Sequence, residues 1–169
     1  MSDYNRTTRA CTVSQLHPEN RQAIREYFVK HELGDPETET RMCCETISEK
    51  KKLSKLASML SGNLDGAIHT AMVLTSEMLI WVRSGDVTGS KLSAADLRNI
   101  HAKAYTSVLT KDSGLEIYGF IVDSYAQTRG YIAMGEEEAA QKFCDEVTQA
   151  IKKANPPVES KWPKWLGGG

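Results

Sequence analysis

The stretch TAMVLTSEMLIWVRSG, residues 70–85, decides the fold. Upstream, Ile68, Thr70, Met72 and Leu74 alternate with His69, Ala71 and Val73, the two-residue period of a strand. Downstream, Met78 to Val82 form a short apolar run, too brief to span a bilayer. Thr75 and Ser76 fall between the two runs, where a tight turn is expected, so the pair reads as an antiparallel hairpin.

Working outward, the same reading repeats. TRMCCETI precedes the hairpin, and KLSA, NIHAKAYT, GLEIYGFIVD and GYIAMG follow it, with turns at GDVTGS and at Lys111–Gly114. About seven short strands at regular spacing indicate an antiparallel, mostly β unit. EEEAAQKFCDEVTQAIKKANPP then changes period. Ala140, Phe143, Cys144, Val147, Ile151 and Ala154 fall on one helical face. Glu136 to Glu138 suit the positive end of that helix dipole, and Lys152 and Lys153 its negative end. A bent sheet leaves one end open, and a helix with a single apolar stripe can close it.

Ahead of the strands, residues 1 to about 13 read as a flexible lead. A helix follows from Pro18, with Ile24, Tyr27, Phe28 and His31 on one face and Glu26 placed to pair with Lys30. Gly34 suits the left-handed residue after a helix, and Asp35–Pro36 bars its continuation. The expected organisation is a lead and N-terminal helix over 1–37, a β domain over 38–155, and a tryptophan-containing tail over 156–169.

The order of these elements resembles a pleckstrin-homology-like domain, and among such domains the small bacterial proteins of undetermined function. TAMVLTSEMLIWVRSG, LSAADLRNIHAKAY, GLEIYGFI and GYIAMGEEEAAQKFCDEV carry the resemblance, which runs from about Thr38 to Ala154. It implies a seven-stranded bent antiparallel barrel or sandwich closed by the C-terminal helix, with Phe143 in the core. It also implies binding rather than catalysis: docking of proteins, ring-like self-association, or capture of phosphoinositides by basic residues in the loop after the first strand.

Lys50, Lys51, Lys52 and Lys55 stand in that loop and are candidate anion ligands, each a mobile point charge. Leu53, Leu56 and Leu60 recur at helical spacing behind them, so residues 51–61 read as a short amphipathic helix with a basic edge. Four lysines near an anionic surface give weak, salt-sensitive attachment, about 1 kcal/mol each. The blander reading is that the lysines are solvated and the leucines cover an open end of the sheet. In the tail, Trp162, Trp165 and Leu166, flanked by Lys161 and Lys164, are candidates for contact with a partner, with a membrane interface or with the chain's own surface.

Other signals exclude more than they suggest. A formal net charge of −1 gives no long-range attraction to nucleic acid. The four cysteines form no CxxC pair, and Cys43–Cys44 would point to opposite faces of a strand, one thiol in the core and the other half exposed. Neither a metal site nor a cofactor site is expected from them. His69 and His101 sit on expected strands and are candidate neighbours in space. SGDVTGSK places its lysine after the serine, unlike a phosphate-binding loop. No GxSxG elbow occurs, so catalysis is not expected. The first fifteen residues include arginines but no apolar run, which gives cytoplasm as the expected address. The leading expectation is therefore a non-enzymatic module for protein docking or self-association, with anionic lipid or phosphorylated ligand at the lysine loop as the alternative.

Overall fold

The hairpin at residues 70–85 is formed by β3 (Ala67–Leu74) and β4 (Met78–Gly85), antiparallel with Leu74 opposite Leu79. Thr75 stitches its turn: Thr75 N donates to Met78 O at 2.9 Å, and its hydroxyl accepts from Met78 N at 2.9 Å. The computed structural model describes residues 4–51, 66–107, 112–122 and 127–156. Around the hairpin it adds β1 (Tyr4–Ala10), α1 (Pro18–Lys30), α2 (Pro36–Glu39), β2 (Met42–Lys50) and β5 (Gly89–Asp96). β6 (Ile100–Ser107), β7 (Asp112–Phe120), β8 (Gln127–Met134) and α3 (Glu138–Ala154) complete it. Strands β1 to β5 lie in sequence order in one antiparallel sheet, and β6 to β8 in a second. The chain is mostly β, two antiparallel sheets closed by a C-terminal helix.

The five-stranded sheet is covered on both faces. On the inner face Cys44, Met72, Leu79 and Ala95 pack with Leu115, Ile117 and Ile132 of the second sheet. Phe143, Val147 and Ile151 of α3 close this cluster at one end, as the apolar stripe predicts. On the outer face Ala71, Val73, Ile80 and Val82 lie under Ile24, Tyr27 and Phe28 of α1. Both parities of β3 and β4 are therefore apolar where the two covers overlap, which is why MLIWV reads as a run and not as an alternation. Fully burying a side chain of this size contributes about 1.5–3 kcal/mol, so α1 is an integral layer.

Several expectations are corrected. Residues 4–10 are not a flexible lead: β1 pairs along its whole length with β2, Tyr4 opposite Lys50 and Ala10 opposite Cys44. This is the eighth strand, one more than expected. YNRTTRA has no apolar alternation because polar bonds fix it at the seam between the sheets. The Thr8 and Thr46 hydroxyls share a hydrogen bond of 2.7 Å, and Gly135 N donates to Thr8 Oγ1 at 2.8 Å. Thr8 N, on the edge away from β2, donates to Glu137 Oε2 at 2.9 Å, and Arg6 is ion-paired with Asp112. Glu137 thus caps a strand edge as well as standing at the N-terminus of α3.

Gly34 takes the left-handed conformation (φ +87°), but Asp35–Pro36 opens the short α2, with the Asp35 carboxylate accepting from Glu37 N. Asp112 to Gly114, expected in a turn, belong to β7. The glycine is required there, because a Cβ at position 114 would lie 2.1 Å from the Ile132 carbonyl oxygen. Glu26 bonds Gln22 at 2.8 Å and is not seen paired with Lys30.

The outer face of the second sheet carries one polar network. Glu116, only 3% exposed, accepts from the Tyr118 hydroxyl at 2.7 Å, is ion-paired with Arg129, and has Lys103 Nζ at 3.2 Å. The Tyr118 hydrogen bond, followed by that from Arg129, holds the Glu116 carboxyl at about 2, below its ordinary value of 4.5.

Two outcomes test this architecture. Phe143→Ala removes the largest buried side chain of the closing helix and is expected to lower stability by about 3–5 kcal/mol, read as a fall in the urea midpoint at unchanged slope. Because the folded carboxyl of Glu116 titrates lower than the unfolded one, its stabilisation is complete above pH 4.5 and is lost as pH falls towards about 2. Glu116→Gln is therefore expected to flatten the acid limb of a stability–pH curve in that window; an unchanged limb would contradict the network.

Candidate functional site: a basic cleft at the open end of the sheet

Along each strand of the five-stranded sheet, residues two apart share a face. Leaving the end covered by α3, the inner face of β4 runs Leu79, Trp81, Arg83: fully buried, partly buried, exposed. On β5 the same walk runs Ala95, Ser93, Lys91, and on β3 it runs Leu74, Met72, Thr70. Beyond the helix the inner face turns polar and basic. It bounds a cleft of about 390 Å³, with Arg6, Ser48, Thr70, Arg83 and Lys91 on the sheet side and Tyr131 and Ile132 of β8 opposite.

Arg83 stands directly opposite Lys91 in the β4–β5 ladder. Like charges placed directly across neighbouring strands are destabilising, each pair by about 0.2–1 kcal/mol. Among the described residues neither cation has an acidic partner. Arg6 enters from β1; one end of its guanidinium engages Asp112, while its buried Nε has no hydrogen-bond partner among the described residues. The floor is made of hydroxyls: Ser48 and Thr70 are 5% and 7% exposed. Trp81 reaches β8, its Cζ2 3.7 Å from where a Cβ on Gly130 would stand. At the rim Tyr131 is held by a hydrogen bond to Ser113 O (2.8 Å) and by an edge contact with Tyr105, ring centres 5.7 Å apart.

Of the lysine stretch, Lys50 and Lys51 border this end of the sheet. Lys50 ends β2 opposite Tyr4, which itself lines the cleft, and Lys51 lies with Tyr4 and Arg6 around an adjoining hollow. Lys52, Leu53, Lys55, Leu56 and Leu60 lie outside the described residues, as do Trp162, Trp165 and Leu166. The sequence reading missed Arg6, Arg83 and Lys91. Their signal was present once the hairpin register was known: Arg83 has the parity of Leu79 and Trp81, the inward parity.

The other sequence candidates are distributed differently from expectation. His69 lies in the five-stranded sheet and His101 in the three-stranded one, so they do not share a sheet. Stacked on His69 is His17, ring centres 4.1 Å apart. Beside them Glu45, 1% exposed, accepts from His17 N and Arg9 Nη2, each at 2.7 Å. Burial first, and then the neighbouring His17, pushes the His69 imidazole below its ordinary range. Cys43 and Cys44 do face opposite sides of β2, but both are buried, because α1 covers the side expected to be half exposed. No group of three or more metal-ligating side chains occurs among the described residues. No helix among them is long and apolar enough to cross a membrane.

Compared with models of known protein families, with curated proteins and with solved structures, the chain matches none.

Proposed function

We propose that this chain is a non-enzymatic binding module whose open-end cleft takes an anionic ligand, a phosphate-bearing headgroup with some apolar surface. One observation carries the reading: Arg83 and Lys91 face each other across two strands, and among the described residues no acid is ion-paired with either. An anion seated between them converts a repulsive pair into two charge-assisted contacts. Ser48 and Thr70 supply hydroxyls below it, and Trp81 and Tyr131 supply aromatic surface beside it. Lys50 and Lys51, at the same end of the sheet, extend the positive field towards solvent.

The arrangement of four strands β2–β5, three strands β6–β8 and a closing helix supports the pleckstrin-homology-like reading of residues 38–155. In that reading β1 and α1 are additions, and the anion site lies on the sheet's inner face as well as in the lysine loop. A second reading, docking of a protein strand or self-association, is favoured by the edge of β6. β6 pairs with β7 on one side, and no described strand pairs with its other side.

Calorimetric titration with inorganic pyrophosphate, run beside co-sedimentation with phosphatidylserine vesicles, separates a soluble phosphate from a membrane headgroup. The Arg83→Ala/Lys91→Ala double variant is expected to lose at least tenfold in affinity for whichever probe binds, about 1.4 kcal/mol. Equal affinity in parent and variant, or no binding of either probe, would reject the cleft. Lys91→Glu is expected to weaken anion binding while raising stability by about 0.2–1 kcal/mol, because it replaces repulsion with attraction across the ladder. Light scattering over a concentration series checks the second reading, which requires mass to rise with concentration.

A further inference from the structure

Cys11 follows β1 and continues its ladder: Ala10 is opposite Cys44, and Cys11 N donates to Cys43 O at 3.1 Å. Cys11 therefore faces Cys43 across the two strands as a hydrogen-bonded pair, a class whose Cα atoms stand about 5.5 Å apart. That spacing falls inside the range a disulfide bridges, about 4.4–6.8 Å. The two sulfurs already lie 3.8 Å apart. The other two cysteines are placed differently: Cys44 faces the opposite side of β2, its thiol towards Ala139 O, and the Cys144 thiol lies 3.8 Å from Met134 Sδ.

Access is also unequal. Cys11 is half-buried at the wall of a hollow of about 520 Å³ between β1, α2 and α3, whereas Cys43 is 5% exposed. Arg9 and Arg41 lie near this wall, the latter lining the hollow.

We propose that Cys11 and Cys43 form a peroxide-responsive dithiol that closes to a disulfide tying β1 to β2. Cys11 is the thiol that reacts first, being the more exposed of the two cysteines that line the hollow. Its thiolate sulfur attacks a peroxide oxygen: an S–O bond forms, the O–O bond breaks, and the leaving hydroxide takes up a proton. Cys11 is thereby oxidised to the sulfenic acid and the peroxide is reduced. The Cys43 sulfur then displaces that oxygen, forming the S–S bond as water leaves with the Cys43 proton. Two thiols and one hydrogen peroxide give one disulfide and two waters. The contact between the two sulfurs lowers the Cys11 thiol and Arg9 adds to it, while the same contact and burial push Cys43 up, in keeping with Cys11 as the more exposed of the two.

The test treats the folded full chain with hydrogen peroxide, alkylates it in denaturant and maps the peptides. The expected result is loss of two of the four alkylatable thiols, with a Cys11–Cys43 linked peptide that a phosphine reductant abolishes. In Cys43→Ser the second step has no partner, so Cys11 is expected to persist as a sulfenic acid captured by dimedone. All four thiols still alkylated, Cys11 found as sulfinic acid without linkage, or linkage through Cys44 or Cys144 would each overturn the proposal. Mapping of the parent protein alone decides it if the variant fails to fold.

Discussion

The apolar stripe of α3 covers one end of the inner face of the five-stranded sheet and stops there. Phe143, Val147 and Ile151 meet Met72 and Leu79 within a single cluster, and further along the same strands, two positions from Met72 and four from Leu79, Thr70 and Arg83 have no described helix above them. A strand cannot switch faces without a bulge, so whatever follows Leu79 and Trp81 at the same parity must also point inward. At the end that no described helix covers, inward means into the cleft. Closing helix and open basic cleft are thus two consequences of one geometric limit.

The strand β1 completes that arrangement by polar means. It adds little apolar area, since only Thr8 of its seven residues is buried. It is fixed by the ladder to β2, by the hydroxyl pair Thr8–Thr46, and by Glu137 accepting from its outer edge. An unpaired edge is a template for pairing with other chains, and a carboxylate on its N–H is one way to blunt it. Through Arg6 the same strand carries a cation into the cleft.

Much of the architecture was legible in the sequence. The hairpin at Thr75, the α3 stripe and the left-handed Gly34 each rest on local chemistry that tertiary context did not override. What stayed hidden depended on partners far away in sequence. YNRTTRA looks like a solvated lead because its reasons for being a strand lie at positions 42–50, 135 and 137. The pairing of Cys11 with Cys43 needs the β1–β2 register, which no spacing rule contains. Arg83 and Lys91 read as ordinary surface charges until their strands are placed side by side. The lysine run drew attention because its charges are contiguous, whereas the cleft assembles its cations from β1, β4 and β5.

The open end of the sheet is a cleft lined by Arg6, Arg83 and Lys91 with Trp81 in its wall. With Trp162 and Trp165 replaced by phenylalanine, Trp81 becomes the sole tryptophan emitter, and its quenching by iodide and by caesium at low ionic strength can be compared directly. Iodide is expected to quench several-fold more strongly than caesium, and Arg83→Ala/Lys91→Ala to remove the difference. Equal quenching by the two ions, or a Trp81 that neither reaches, would contradict this.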